Sequence, residues 1–270
     1  MDHELGIIGA GNMAEAIARG VMQSGLFRAN QIIAADVSTA RRELFENQLG
    51  IHAIEDNAEA ARGAKVILLS VKPQHMAAVL AGMSGAIVGD PLIISIAAGI
   101  SSRFIEEHLG TGRKWRVVRS MPNTPMLVGE GMVAIARGSH ASEADMNSAR
   151  KIFESAATVI ELAEDKMDTV TAMSGSGPAY FFFLVEHMIQ AGIELGLTPE
   201  QARQLASRTA LGAAKMLETS SDSPQELRRK VTSPGGTTHA AITHMESKQV
   251  GPAIVEAIKA AERRGKELGK

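Results

Sequence analysis

The stretch that decides the fold is LGIIGAGNMAEAIARG, residues 5–20 of a chain of 270 residues. A short apolar run ends at Gly9, and apolar residues then recur at helical spacing from Met13 to Gln23. The turn between them fits the pattern G-x-G-x-x-G/A, in which a strand leads directly into a helix. The first glycine permits the tight turn, and the second lets the backbone approach an anion. The small third residue, Ala14, lets the helix pack closely on the strand.

An acidic residue supports the interpretation of this turn as a dinucleotide-binding loop. Asp36 ends the second apolar run, residues 32–35, roughly 20 residues beyond the loop, as the pattern requires. A carboxylate at this place accepts hydrogen bonds from the adenosine ribose and repels a 2′-phosphate, which favours NADH. The residues that would hold a 2′-phosphate if the loop turned inward follow directly: Ser38, Thr39, Arg41 and Arg42. Because a solvated helix face explains these arginines equally well, the choice between NADH and NADPH stays open.

The rest of the chain separates into two kinds of pattern. Short apolar runs predict strands over residues 5–8, 32–35, 66–69, 92–96, 115–118, 132–136 and 159–162. Strands that are apolar on both faces and spaced by helices are typical of a parallel sheet covered on both sides. Beyond residue 164 long helical patterns take over, including 180–195 and 252–268. We predict an α/β Rossmann-like domain with a parallel-rich sheet over residues 1–164, followed by an all-α domain over residues 165–270.

Composition and charge exclude several classes of function. The 28 Lys and Arg residues against 30 Asp and Glu residues give a formal net charge of -2, which provides no basic field for nucleic acid or an anionic membrane. The absence of cysteine excludes disulfides, thiolate zinc sites and a cysteine nucleophile. The eight histidines are scattered, and no stretch reaches the roughly 18 apolar residues of a membrane span. Because a strand pattern starts at Leu5, we expect no targeting peptide, a cytoplasmic location, and no metal, nucleic-acid or membrane partner.

Further candidate binding residues follow two other predicted strands, where open α/β sheets bind ligands. Residues 70–73 include Lys72, which is either a catalytic cation or, as we favour, a backbone contact whose side chain points elsewhere. The small residues 97–99 either let a nicotinamide ring approach or form a plain strand-to-helix turn. The predicted cofactor-binding residues of these segments are Gly6, Ile7, Ile8, Gly9, Ala10, Gly11, Asn12, Met13, Asp36, Ser70, Val71, Lys72, Pro73, Ala97 and Ala98.

Five segments together resemble the pyrroline-5-carboxylate reductase family, which carries out the last step of proline synthesis. They are GAGNMA at 9–14, VKPQ at 71–74, MPNTP at 121–125, GSGPAY at 175–180 and VTSPGGTT at 231–238. Their order and approximate positions match along the whole chain, and the last segment is the most specific. The resemblance implies reduction of 1-pyrroline-5-carboxylate to L-proline by NADPH or NADH. It also implies a homo-oligomer based on a dimer, in which the helical domains of two subunits interleave.

The resemblance also assigns roles in a glycine-rich loop that leads into a helical pattern. By itself, SPGGTT at 233–238 reads as a helix start capped by Ser and Thr, although its free N–H groups suit a carboxylate. The resemblance makes Thr238 the catalytic residue, whose hydroxyl donates to the imine nitrogen. The matching family residues imply substrate contact for Glu164 and adenosine contact for Asn57; the alternatives are a surface charge and a helix start. The predicted substrate-binding residues are Glu164, Ser233, Gly235, Gly236, Thr237 and Thr238.

Two other functions explain parts of the same sequence. A β-hydroxyacid dehydrogenase also combines a Rossmann domain with a helical one, but it needs a lysine in the first long helix of the second domain. The helix predicted over residues 180–195 contains neither Lys nor Arg. A nucleotide-sensing protein without catalysis predicts a degraded carboxylate loop, whereas 233–238 is intact. The sequence therefore favours the reductase, and leaves open assembly beyond a dimer, reduction of larger cyclic imines and inhibition by proline.

Overall fold

An eight-stranded sheet dominates the first part of the computed structural model, which describes residues 3–268. The strands are β1 (His3–Ile8), β2 (Ile32–Ala35), β3 (His52–Ile54), β4 (Ala64–Leu69), β5 (Leu92–Ser95), β6 (Arg116–Met121), β7 (Gly131–Arg137) and β8 (Ala157–Glu161). Their order in the sheet is β3-β2-β1-β4-β5-β6-β7-β8. All neighbouring pairs are parallel except β6 and β7, so the predicted parallel-rich sheet is confirmed.

The helices cover both faces of this sheet and form the remainder of the chain. They are α1 (Asn12–Gln23), α2 (Thr39–Leu49), α3 (Asn57–Ala61), α4 (Met76–Met83), α5 (Ser102–Leu109), α6 (Glu143–Phe153), α7 (Met167–Val170), α8 (Gly177–Glu194), α9 (Pro199–Thr219), α10 (Pro224–Lys230), α11 (Thr237–Ser247) and α12 (Val250–Leu268). A π-helical turn, Thr171–Gly175, precedes α8. The all-α character predicted for the second part of the chain is confirmed.

Local sequence signals explain where several helices begin and end. Gly50 ends α2 in the left-handed conformation, with a φ of 68°, which glycine adopts without steric cost. The Thr198 side chain accepts a hydrogen bond from the backbone N–H of Gln201, and the Thr198 N–H donates in return to the Gln201 side chain at the start of α9. The Ser223 side chain caps α10 by accepting a hydrogen bond from the N–H of Glu226. These ends are set by side chains within four residues of them.

The core lies on both faces of the sheet. In β1, Leu5 and Ile7 belong to the cluster under α1 and α6, whereas Ile8 belongs to the cluster under α3, α4 and α5. All three side chains are fully buried. Burying one such side chain is worth about 1.5–3 kcal/mol, so these three side chains contribute directly to the stability of this part. The alternation explains why the sequence of β1 is apolar on both faces.

The order of the strands sets the position of the ligand crevice. The chain runs from β1 outward to β2 and β3, then returns past β1 to β4, so the direction of the strand order reverses between β1 and β4. Open α/β sheets bind ligands outside the carboxyl ends of the strands at this reversal. The ends of β1, β2 and β4 are therefore the place at which a cofactor site is expected.

The described residues form two compact units, residues 3–176 with 261–268 and residues 177–260. The domain boundary predicted between residues 164 and 165 stays a prediction. In the second unit α8 packs on α9, where a Cβ on Gly192 would lie 3.0 Å from the Cβ of Ala202. Other faces of α8 carry exposed aromatic side chains, including Phe182. None of the described helices is long and apolar enough to cross a membrane.

Candidate functional site

The glycine loop between β1 and α1 combines a required turn with open space. Gly9 has a φ of 95°, and a Cβ there would lie 2.9 Å from the backbone carbon and oxygen of Ser70. Gly11 is the N-cap of α1, and a Cβ on it would meet no atom within 4 Å. Gly9 is therefore demanded by the fold, whereas Gly11 leaves room directly in front of the helix N-terminus. An anion in that room would face free N–H groups and the positive end of the helix dipole.

A cavity of about 730 Å³ lies at the carboxyl ends of β1, β2 and β4. Its volume falls within the roughly 300–1,000 Å³ of small-molecule sites. The predicted cofactor-binding residues that line it are Gly9, Gly11, Asp36, Asn57, Ser70, Val71 and Lys72. The structure thus brings together residues from four separate segments of the chain.

The other predicted cofactor residues do not line this cavity. Gly6 faces α3, where a Cβ would lie 2.5 Å from the carbonyl oxygen of Ala60. The remaining ones are Ile7, Ile8 and Ala10, which are fully buried, Asn12 and Met13 in the first turn of α1, Pro73 in the turn after β4, and Ala97 and Ala98 after β5. Contact of these residues with a cofactor stays a prediction.

One face of the cavity is formed by α4 and was not predicted from the sequence. The residues in question are His75, Ala78, Val79 and Gly82. They recur at spacings of three, four and seven residues, which places them on one side of a helix. That spacing was visible in the sequence, but nothing local indicated that this side faces a cavity rather than solvent. Val37, Glu55 and Ala58 line the cavity as well and were also missed.

Asp36 is held in a fixed orientation at the end of β2. The backbone N–H of Ala10 donates to its Oδ2 at 2.7 Å, and the backbone N–H of Ser38 donates to its Oδ1 at 2.8 Å. The carboxylate therefore connects the glycine loop to the start of α2. Each carboxylate oxygen keeps a further lone pair that can accept a hydrogen bond from a ligand hydroxyl.

Both arginines of α2 are engaged with the protein itself. The Nε of Arg41 donates to the carbonyl oxygen of Ala10 at 2.6 Å, and its Nη2 lies 2.8 Å from Glu15 Oε2. The Nη1 of Arg42 donates to the backbone oxygen of Asp36 at 2.7 Å. Burial raises the pKa of Glu15, but hydrogen bonds from Arg19 and Arg41 outweigh it and hold that pKa below its ordinary value. Glu15 is therefore ionised at neutral pH and keeps Arg41 in place.

Asn57 begins a helix and also lines the cavity. The side chain of Asp56 accepts a hydrogen bond from the backbone N–H of Ala58 at 2.8 Å and so caps α3, whose first residue is Asn57. Asn57 also lines the cavity. Its predicted contact with the adenosine part of a cofactor stays a prediction.

Glu164 lies in a polar cluster of the first unit and is not a free surface charge. Its Oε1 accepts the backbone N–H of Ser102 at 2.7 Å, and its Oε2 accepts the Ser102 hydroxyl at 2.6 Å. Arg119 is only 7% exposed, and its guanidinium lies 3.7 Å from Glu164 and 3.2 Å from Asp168. Glu164 thus stabilises the N-terminus of α5 and a buried arginine. Ser102 and Arg119 were missed in the sequence; the one available signal was an arginine inside an apolar strand.

Glu164→Gln tests the structural part of this arrangement. We expect the free energy of unfolding to fall by about 1–3 kcal/mol, because the amide cannot accept both Ser102 bonds and leaves a buried arginine partly unpaired. Asp165→Asn is the matched control, since Asp165 pairs with Lys166 on the surface and such pairs contribute little. Urea unfolding of both variants measures the difference. If Glu164→Gln is as stable as the parent protein, the structural role of Glu164 is contradicted, and only its predicted substrate contact remains.

The loop at 233–238 in the second unit begins α11 without a side-chain cap. Gly235 has a φ of 72°, and the N-cap is Gly236, whose N–H donates to the carbonyl oxygen of Ser233 at 3.0 Å. The alternative of a helix start capped by Ser or Thr is therefore wrong, because the N-cap residue is Gly236, which has no side chain. The first N–H groups of a helix are donors that suit an anion. Thr238 is the second residue of this helix and is partly buried.

The described residues contain no group of three or more His, Asp or Glu side chains that could hold a metal ion. The two glycine-rich loops and the residues around them offer oriented N–H groups, hydroxyls and carboxylates. Such groups bind anions and polarise a carbonyl or imine, while redox equivalents come from a bound cofactor.

Two family models match the chain. Residues 164–268 match the model for pyrroline-5-carboxylate reductase dimerisation. Residues 4–99 match the model described as NADP oxidoreductase, coenzyme F420-dependent. The first match contains the loop at 233–238, and the second contains the glycine loop and Asp36.

Relatives match over the full length. A pyrroline-5-carboxylate reductase of Synechocystis is 40% identical over 270 residues and is covered completely, as is this chain. One from Pseudomonas aeruginosa is 42% identical, covering 98% of this chain and 96% of its own. The solved structure of the Coxiella burnetii pyrroline-5-carboxylate reductase superposes with a TM-score of 0.90 at 36% identity and full coverage of both chains. A Plasmodium falciparum pyrroline carboxylate reductase with NADP bound gives a TM-score of 0.89 at 29% identity, covering 99% and 98%.

Proposed function

Because the chain belongs to the pyrroline-5-carboxylate reductase family, we propose that it reduces 1-pyrroline-5-carboxylate to L-proline with NADPH or NADH, the last step of proline biosynthesis. The observation that carries the proposal is that two helices, α1 and α11, begin at glycines without a side-chain cap. One N-terminus suits the cofactor pyrophosphate, and the other suits the carboxylate of a small imino acid.

In the first unit, the cavity residues bind and orient the cofactor. The open space at Gly11 accommodates the pyrophosphate, and Asp36 accepts hydrogen bonds from the adenosine ribose. Lys72 contributes to the wall after β4. When bound, the reduced nicotinamide supplies the hydride for the imine carbon. The protein itself therefore has to provide binding, orientation and a proton donor.

In the second unit, the residues of the loop at 233–238 receive the substrate. The backbone N–H groups of Thr237 and Thr238 point out of the helix N-terminus and suit a carboxylate. The hydroxyl of Thr238 donates to the imine nitrogen as charge moves onto it, which makes the adjacent carbon more electrophilic. Ser233, Gly235 and Gly236 shape the turn that exposes these groups. Glu164 completes the proposed substrate-binding set through the family match alone.

The enzyme is a homo-oligomer, since residues 164–268 match a dimerisation model. We propose that its basic unit is a dimer in which the helical domains interleave, and that it acts in the cytoplasm without nucleic-acid or membrane partners. The second unit supports the dimer because it carries large exposed apolar side chains, among them Phe181, Phe182, Phe183, Leu184, Leu205 and Leu211. Large exposed apolar side chains in this number are typical of an interface.

Phe182→Glu tests the dimer. Phe182 is 68% exposed within the chain. If it lies in an interface, a charge there raises the dimer Kd at least about 30-fold, as removal of an aromatic anchor does. Val88→Glu is the control, because Val88 is 59% exposed but belongs to the first unit. Sedimentation over a dilution series measures the dimer Kd of both variants. If neither variant dissociates more readily than the parent protein, a dimer built on α8 is contradicted.

The reaction is tested by following the loss of reduced-nicotinamide absorbance with 1-pyrroline-5-carboxylate, with NADH and NADPH in parallel. We expect oxidation that depends on the imine and forms one proline for each cofactor oxidised. A β-hydroxyacid with NAD⁺ or NADP⁺ is the control for the rival dehydrogenase and should give no reduction. If the folded protein binds cofactor but oxidises neither cofactor with the imine, the proposed function is wrong.

A further inference from the structure

We propose that Asp36 makes this enzyme select NADH over NADPH, an inference that rests on the proposed function and specifies its cofactor. Asp36 lines the cavity at the end of β2, where the adenosine ribose is expected. Two backbone N–H groups, from Ala10 and Ser38, hold its two carboxylate oxygens at 2.7 and 2.8 Å. The negative charge therefore cannot turn away without breaking both bonds. A ribose hydroxyl can donate to it, whereas a 2′-phosphate would meet a fixed like charge.

The cations that would counter this charge are already used. Arg41 reaches across to the glycine loop and binds the carbonyl oxygen of Ala10 and the carboxylate of Glu15. Its guanidinium thus stabilises the glycine loop. It could bind a phosphate only after its contacts with Ala10 and Glu15 were broken. The arginine that a phosphate site would require is here a structural residue.

Arg42 is engaged in the same manner. Its guanidinium donates to the backbone oxygen of Asp36 at 2.7 Å and to the Thr39 hydroxyl at 3.1 Å, and it lies 3.7 Å from Glu55. The Thr39 hydroxyl, a further candidate for a 2′-phosphate, accepts this bond. The Ser38 backbone N–H is taken by Asp36. The two cations that offered a phosphate site in the sequence, Arg41 and Arg42, therefore each have protein partners.

The remaining charges on the cavity wall reinforce the same preference. Glu55 and Asp56 line the cavity together with Asp36, so three acidic residues face its adenosine end. The lysine of the lining, Lys72, follows β4, which is separated from β2 by β1. Two strand spacings amount to roughly 10 Å in the sheet. A 2′-phosphate beside β2 would be close to the carboxylates and distant from this lysine.

The test is calorimetric titration of the full-length protein with NADH and with NADPH, in the absence of the imine. We expect NADPH to bind at least about tenfold more weakly, a difference in Kd that corresponds to about 1.4 kcal/mol. In Asp36→Asn the ratio of the two Kd values should fall at least fivefold, with NADPH binding more tightly than to the parent. Glu59→Gln is the matched control, because it removes one nearby exposed charge outside the cavity lining and should leave the ratio unchanged.

A second measurement uses the parent protein alone, so that it is independent of how Asp36→Asn folds. Displacement of bound NADH by 5′-AMP should be stronger than by 2′,5′-ADP, which adds only the 2′-phosphate. Equal or tighter binding of NADPH or 2′,5′-ADP by the parent would overturn the inference, and so would an unchanged ratio in a folded Asp36→Asn. Because no imine is present, a failure of the reductase reaction would leave these affinities interpretable. A reductase that prefers NADPH would refute the inference and retain the proposed function.

Discussion

Replacing Thr238 with alanine is expected to lower kcat about 100-fold, while the Kd for the nicotinamide nucleotide changes less than about twofold. The hydroxyl at this position is the proposed donor to the imine nitrogen, and a donor that acts mainly in the transition state contributes a factor of this size. The backbone N–H groups at the start of α11 are unaffected by the change, so substrate binding should weaken less than turnover. Steady-state kinetics with 1-pyrroline-5-carboxylate and calorimetric titration of the cofactor separate the two effects.

The control for this prediction lies on the same helix. Thr243 is exposed in the middle of α11, and Thr243→Ala removes an identical hydroxyl away from the helix N-terminus. We expect its kcat to stay within about twofold of the parent, because surface substitutions of this type are nearly neutral. A Thr238→Ala enzyme with unchanged kcat would remove the proposed catalytic role. Equal losses in both variants would assign the effect to α11 as a whole.

Gly9→Ala is expected to lower the free energy of unfolding by about 2–6 kcal/mol and to abolish measurable cofactor binding. A residue with a Cβ is strained at a φ of 95° by about 1–3 kcal/mol. The new methyl group would also lie 2.9 Å from the backbone of Ser70, and such overpacking costs about 1–3 kcal/mol. Relief of the contact requires the loop to move away from β4, which distorts the cavity. Urea unfolding and titration with NADH measure both consequences.

Gly11→Ala is the matched comparison, two residues further along the same loop. Gly11 has a φ of -71°, and its Cβ would meet open space, so the free energy of unfolding should change by no more than about 0.5 kcal/mol. The methyl group would occupy the room proposed for the pyrophosphate, and we expect the cofactor Kd to rise about tenfold or more. Normal cofactor affinity in folded Gly11→Ala would contradict the proposed position of the pyrophosphate. Normal stability of Gly9→Ala would contradict the account of the turn.

Much of the fold could be predicted because its signals are local. The apolar runs at β1, β2 and β4, the loop at Gly9 and the capping residue Thr198 depend on side chains within a few positions of one another. Strand β3 escaped prediction because it spans only three residues, one of them exposed. The reversed direction of β7 was also absent from the predicted pattern, since an apolar strand reads the same in both directions.

The candidate sites divide along the same line. Glycine-rich loops can be recognised in the sequence because glycine itself marks the uncapped start of the helix, as at Gly11 and Gly236. The partners of charged residues are not legible, because they come from distant parts of the chain. Glu164 binds Ser102, which lies 62 residues earlier, and Arg41 binds Ala10 across 31 residues. The sequence left both residues with two roles each, and the distant partners give each of them a structural role that the sequence did not indicate.

The sequence by itself determined the two kinds of structure, the glycine loop with Asp36, the loop at 233–238 and the family. These depend on backbone conformations and periodicities that particular residues impose locally. Only the tertiary structure decided that Arg41 and Arg42 donate hydrogen bonds to backbone oxygens of the protein itself. It also decided that α4 forms one wall of the cavity. A side chain's charge is set by its own chemistry, but its availability depends on which groups the packed chain brings within hydrogen-bonding distance.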